Sequence, residues 1–179
     1  NDETEVIGST IVKIDEDALL FMLEEEKLAR DTYIYLGDLW SINQFNNIKN
    51  SEQAHMNAIE NLLKKYKINY TILPIGEFEN QDLQDYYNQF IKDGSINKAS
   101  ALQIGATIED LDIVDLQEFI EVSRSSDLVT VFENLQCGSR NHLRSFLNGI
   151  EKNGNSYAPQ FLSQVEYNLI INSSNEQCK

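Results

Sequence analysis

The two histidines of this 179-residue chain each sit on an apolar stripe of helical spacing beside another polar residue. In one stretch, Phe45, Ile48, Glu52, His55, Ile59 and Leu62 follow a 3-4-3-4-3 rhythm. Residues three and four apart share one helix face, so this is a single seam with Glu52 and His55 at its middle. A carboxylate removed from water is costly unless it is paired or bound to a cation, so such a seam asks for a partner. Three other stretches repeat the interruption. Leu19, Leu23, Glu26, Ala29 or Arg30, Tyr33 and Leu36 form one; Leu102, Gly105, Glu109, Asp112, Leu116 and Phe119 a second; Leu128, Val131, Leu135, Ser139, His142 and Phe146 a third. The candidate metal ligands are therefore Glu26, Glu52, His55, Glu109, Asp112 and His142. Imidazole with carboxylate suits iron or manganese, with zinc open to the same site by affinity.

Each residue also has a plainer reading. An isolated E-x-x-H recurs by chance in helices, and only the coincidence of four interrupted seams gives it weight. Asp112, with Asp115, could instead cap a helix beginning near Ile113. Tyr33 reads as core packing, Cys137 as a small core residue, and Arg30 and Arg144 as neutralisers of nearby acids. Glu24 and Glu25 project away from the Glu26 seam and read as solvated charge.

Four long helices must position these residues. The first is expected from an Asp15 or Asp17 cap to about Gly37, and the second from Ile42 to Tyr66 behind a Ser41 cap. Residues 67–97 read as a crossover, with Tyr70 to Pro74 extended and a short helix from Asp82 to Ile91. A third long helix spans Asn97 to Val122 and a fourth Ser126 to Ile150, followed by a last short helix near Ser163 to Ile171. With only 8 Gly and 2 Pro, long uninterrupted helices are favoured over a turn-rich β architecture.

Fourteen Lys and Arg against 29 Asp and Glu give a formal net charge of −15, which repels nucleic acid and attracts cations. No apolar run approaches the roughly 20 residues of a transmembrane helix. The start Asn1-Asp2-Glu3-Thr4-Glu5 has the acidic character of a chain just past a cleaved signal or lipid-anchored Cys. That points to an exported, periplasmic or lipid-anchored bacterial protein. Cys137 and Cys178 are too few for a cysteine-based metal site; they either pair or remain free thiols.

The motifs resemble those of a known group. Glu26-Lys27-Leu28-Ala29-Arg30-Asp31-Thr32-Tyr33 is similar to the first-helix E-x-x-A-R-x-x-Y of rubrerythrin-type, ferritin-like proteins. Ser51-Glu52-Gln53-Ala54-His55 resembles their second-helix E-x-x-H. Glu109-Asp110-Leu111-Asp112 looks like their third-helix E-x-x-E with the second acid shortened. Ser139-Arg140-Asn141-His142-Leu143-Arg144-Ser145-Phe146 looks like their fourth-helix motif, with Ser139 in place of Glu. The longer runs from Glu24 to Asp31, Ile108 to Ile113 and Gly138 to Leu143 resemble an uncharacterised ferritin-like family, domain of unknown function 2202. The likeness covers about Asp15 to Ile171.

The resemblance implies an all-α, ferritin-like four-helix bundle with a long crossover between helices two and three and a short C-terminal helix. The expected organisation is an acidic lead-in over 1–14, the bundle over 15–172 and a flexible tail over 173–179. A Glu from each of two helices and Glu-x-x-His from the other two is the ligand set of di-iron and di-manganese bundles. It implies bridging by Glu52 and Glu109, with Glu26, His55 and His142 as terminal ligands. Ser139 weakens one metal position unless Asp112 substitutes. The implied activity is ferrous oxidation or peroxide reduction, with iron as cofactor and dioxygen or peroxide as reactant. A rubredoxin-like electron path is missing, since there is no Cys-x-x-Cys. A homodimer is one assembly open to such a chain. The rival class is a non-catalytic exported binding or interaction module holding one structural ion or none.

Overall fold

In the computed structural model, which describes residues 11–179, the polypeptide forms α1 (Lys13–Trp40), α2 (Asn43–Lys65), α3 (Gln81–Gly94), α4 (Lys98–Val122), α5 (Ser126–Lys152) and α6 (Gln164–Ile171). No strand occurs among the described residues. Most of the expected lead-in, Val6 and Ile7 included, lies outside them. The extended stretch from Tyr70 to Pro74 is irregular backbone.

Two expected caps are reassigned. The first helix starts at Lys13, with Val12 at the N-cap position and no side-chain cap. Asp15 is committed elsewhere, accepting the Arg124 backbone N–H at 3.3 Å and tying the start of α1 to the end of α4. Ser41 closes α1 rather than opening α2: it adopts φ 54°, and its N–H reaches Gly37 O at 2.8 Å. A connection this short between antiparallel helices needs one left-handed residue.

The four long helices pack as neighbours in the pairs α1–α2, α4–α5, α1–α4 and α2–α5. Each pair is antiparallel. Asp15 near the start of α1 meets Arg124 just past α4, while Tyr33 late in α1 meets Gly105 early in α4. Lys65 at the end of α2 pairs with Asp127 at the start of α5. The α2–α4 crossover therefore travels the length of the molecule, and α3 within it packs on α1 and α4.

A buried charge cluster fastens the crossover. Lys27 Nζ donates to Asp31 Oδ2 (2.6 Å), Pro74 O (2.9 Å) and Glu77 O (2.9 Å). Asp31 also accepts from Gly76 N at 3.0 Å and from Arg30 at 2.9 and 2.7 Å. Glu24 accepts the N–H groups of Glu79 and Asn80 at 2.7 and 2.9 Å.

A second such cluster holds the segment before α6. Buried Asp110 accepts from Tyr157 Oη (2.7 Å), Phe161 N (3.3 Å), Leu162 N (2.7 Å) and Gln160 N. Beyond α6, the tail expected to be flexible is tied down. Cys137 and Cys178 form a disulfide across a separation of 41 residues, and Glu176 pairs with Arg140 (2.6 Å) and Arg144 (3.1 Å).

The apolar interior is divided. One cluster contains Leu28, Tyr33, Leu36, Phe45, Ile48, Leu102 and Phe146. The other contains Leu19, Met22, Leu23, Met56, Ile59, Leu62, Leu116, Phe132 and Leu135. Between them, at the middle of every long helix, lies a layer of buried acids and histidines.

Candidate metal centre

All six candidate ligands enter this layer. Glu26, Glu52, Glu109 and Asp112 are buried, whereas the side chains of His55 and His142 keep 12% of their surface exposed. Glu26, Glu52 and His55 offer ligand atoms within 4.8 Å of one another, and Glu52, Glu109 and His142 do the same. Glu52 belongs to both groups. Its Oε2 lies 2.9 Å from His55 Nδ1 and its Oε1 lies 2.8 Å from His142 Nδ1. The two imidazoles are near-parallel, with centroids 5.6 Å apart.

The remaining contacts set each group's role. Glu26 Oε2 is 3.1 Å from His55 Nδ1, and Glu109 Oε2 is 3.4 Å from His142 Nδ1. Tyr33 Oη donates to Glu109 Oε1 at 2.6 Å, which holds Glu109 on the His142 side. Asp112 belongs to neither group of three. Its Oδ2 accepts from Ser139 Oγ, and the same hydroxyl has Leu135 O at 3.0 Å as its other acceptor. The residue standing where the resemblance expects a Glu is thus occupied with the shortened acid opposite.

Despite this crowding, the layer is short of hydrogen bonds. Glu26 Oε1, Asp112 Oδ1, Glu52 Oε1 and His142 Nδ1 have no hydrogen-bond partner; the last two lie 2.8 Å apart without the alignment of one. Buried polar atoms are ordinarily satisfied, and orphaned acceptors converging on one space are the donor set a cation would complete.

Electrostatics express the same deficit. Burial pushes the Glu26 carboxyl well above its usual range, reinforced by Asp112. Burial likewise raises Glu109 against the pull of His142, and lifts Asp112 to about 8 with Glu109 adding to it. Glu52 goes the other way: burial opposes its charge, but the two imidazoles overcome that and hold it well below the usual carboxylate range. Burial also opposes charge on the histidines, yet Glu26 and Glu52 raise His55, and Glu52 and Glu109 carry His142 to about 10. Without a metal, imidazolium supplies the positive charge of this layer.

Sequence reasoning misplaced the two acids before Glu26. Glu24, read as solvated charge, accepts the N–H groups of Glu79 and Asn80. Glu25, read the same way, is 2% exposed and faces the Asp115 carboxyl with no N–H donor at either oxygen. α1 packs against α2, α3 and α4, so a second stripe is buried besides the Glu26 seam. The signal was present: Ala18, Met22, Glu25, Ala29 and Thr32 recur at 4-3-4-3 spacing, and all are buried. Gly138 was also overlooked as a supporting residue. A Cβ there would lie 2.7 Å from His55 Nε2, so glycine is what lets the ring lie against α5.

Comparison with known proteins reinforces the unity of these elements. Residues 15–174 match the family described as "Uncharacterized protein domain (DUF2202)". The chain is 43% identical over 165 residues to Uncharacterized protein MJ0754 of Methanocaldococcus jannaschii, covering 91% of this chain and 89% of that protein. A crystal structure of hypothetical protein MJ0754 from Methanococcus jannaschii superposes with a TM-score of 0.92 at 42% identity. That match covers 94% of this chain and 97% of the other.

Proposed function

The chain belongs to the Uncharacterized protein domain (DUF2202) family, and from its site we propose a ferritin-like four-helix bundle that holds a pair of iron or manganese ions. Glu26, Glu52 and His55 hold one position; Glu52, Glu109 and His142 hold the other. The observation that carries this reading is Glu52, which turns one oxygen toward each imidazole at 2.9 and 2.8 Å. A residue doing so between two further acids is suited to bridge two cations. Mixed carboxylate and imidazole favours iron or manganese over calcium or magnesium, which prefer oxygen alone.

Iron bound here would supply oxidation by dioxygen, or reduction of peroxide with an external electron donor. The chain's own contribution is positional. Tyr33 fixes Glu109, Gly138 admits His55, and the apolar clusters on either side of the layer keep bulk water from it. Asp112 stands ready beside Ser139 as a further acid.

A second reading is a single, non-catalytic ion at Glu26, Glu52 and His55, and the Ser139–Asp112 contact favours it by occupying one Asp112 oxygen. Metal analysis of protein produced in iron-supplemented medium tests both, together with its visible spectrum under air and peroxide consumption with an added reductant. About two ions per chain and reductant-dependent turnover are the expected result. One ion without turnover selects the second reading, and none removes both.

A further inference from the structure

Asp115 lines a surface cavity of about 850 Å³, and Glu25 stands behind it, beside Asp112 and Glu26 of the metal layer. The cavity opens between α1, α3 and α4, and its walls include Asp82, Asp85, Asp115 and Glu118 with no Lys or Arg among the lining residues. Phe21, in its lining, is one helical turn before Glu25 on α1. Glu25 faces Asp115 on one side and feels Asp112 and Glu26 on the other, all of them acids. Its two oxygens are buried and meet no N–H donor; what faces them is the Asp115 carboxyl, within hydrogen-bond reach.

Facing another acid, with no N–H donor, separates Glu25 from the other buried acids outside the layer. Asp31 is met by Lys27, Arg30 and Gly76 N; Asp110 by Tyr157 and three backbone N–H groups; Asp15 by Arg124 N. Unpartnered carboxylate oxygens continue inward from Glu25 to Glu26, Asp112 and Glu52.

Resting on the metal-centre reading, we propose that Glu25 and Asp115 form an entry site through which divalent transition-metal cations pass from the acidic cavity to the Glu26–Glu52–His55 position. A cleft lined by one sign of charge concentrates counter-ions at its mouth. Two carboxylates with no imidazole bind such a cation more weakly than two carboxylates with one, so the pair passes the ion inward rather than storing it. The role of Asp82, Asp85 and Glu118 is to raise the local cation concentration at the mouth.

The test uses the full chain stripped of metal, with Co²⁺ as the probe. Stopped-flow absorbance gives the rate of histidine-ligated Co²⁺ formation, and equilibrium titration gives its affinity. Glu25→Gln and Asp115→Asn keep side-chain volume and remove a carboxylate ligand. Both are expected to slow uptake about tenfold while leaving affinity within about threefold. The Asp82→Asn, Asp85→Asn double variant should slow it less, and added salt should narrow every difference. Wild-type rates in Glu25→Gln and Asp115→Asn overturn the entry site and leave the metal centre standing. Affinity falling as far as rate also overturns it, since the pair then ligates the resident metal. If Glu25→Gln does not fold, unchanged rates in Asp115→Asn and the surface double variant overturn the proposal on their own. A wild-type protein that takes up no Co²⁺ removes the metal centre, and the entry site with it.

Discussion

Two kinds of buried charge occur within a few turns of each other in α1. Lys27 and Asp31 are as deeply buried as Glu26, yet the ammonium meets three acceptors and the carboxylate is met by Lys27, Arg30 and a backbone N–H. Asp110 in α4 is satisfied in the same way, one residue from Glu109. Glu25, Glu26, Glu52 and Asp112 are buried to the same degree but keep oxygens without partners. Burial alone therefore does not mark a functional acid; unsatisfied burial does. A saturated cluster stabilises the fold whatever is bound, whereas an unsaturated one costs stability until a cation arrives.

The sharpest way to break this contrast is Lys27→Met. It leaves Asp31 buried with reduced compensation and should cost about 3–5 kcal/mol in chemical denaturation, without changing metal per folded chain. Loss of metal in proportion to stability would erase the distinction.

His55→Ala should do the reverse. Metal content should fall strongly, and the metal-free protein should also weaken, because Glu26 and Glu52 lose the imidazolium between them. His142→Ala should cost less of both, since Tyr33 still donates to Glu109. Equal metal loss in the two variants would overturn the ranking of the positions.

The pH dependence of the metal-free protein follows from two raised groups. Asp112, lifted to about 8, binds its proton in the folded state where the unfolded chain has released it. His142, lifted to about 10, does the same above its ordinary value. The folded state thus holds more protons through this range, so metal-free stability should fall as pH rises from about 6.5 to 10. Metal binding displaces histidine protons and should strengthen over the same range, widening the melting-temperature gap between loaded and stripped protein. A gap that narrows with pH would contradict the unsaturated layer.

Glu26→Gln separates metal binding from stability most directly. The amide can still accept from His55 Nδ1 and carries no charge for burial to oppose, so the metal-free chain should keep its stability while tight metal binding is abolished. The smallest effect is expected at Gly138→Ala, where the new Cβ displaces His55 and weakens metal affinity about tenfold, with little change in the metal-free melt.

The four seams were legible because each helix carries its polar residues on a stripe made mostly of apolar side chains, Leu, Ile and Phe foremost. The family and the all-helical architecture follow from that periodicity and from the motifs around Glu26, Glu52, Glu109 and His142. Glu25 was legible only through a second stripe, Ala18, Met22, Glu25, Ala29 and Thr32, whose burial requires α1 to be covered by α2, α3 and α4 together. Lys27 and Asp31 look like an ordinary exposed i, i+4 pair until residues 74–77 fold over them. Asp110 is explained only by residues 157–162, whose irregular backbone has no period to read. Ser41 failed as an N-cap because a cap residue and a reversal residue look alike in composition, and here geometry chose the second. The pairing of Cys137 with Cys178 was left open by spacing and is resolved by the tail's course along α5.

The polar layer also bears on how the molecule comes apart. Each apolar cluster draws on all four long helices: one on the end of α1, the start of α2, the start of α4 and the end of α5, the other on their opposite halves. Neither half is a continuous piece of chain. Opening one while keeping the other would require every long helix to break at its middle, where no proline interrupts the backbone ladder. Helix continuity thus transmits cooperativity across a plane where side-chain packing is interrupted. Amide exchange in the metal-free protein should accordingly slow to a common limit in both halves, as one foldon spanning the layer.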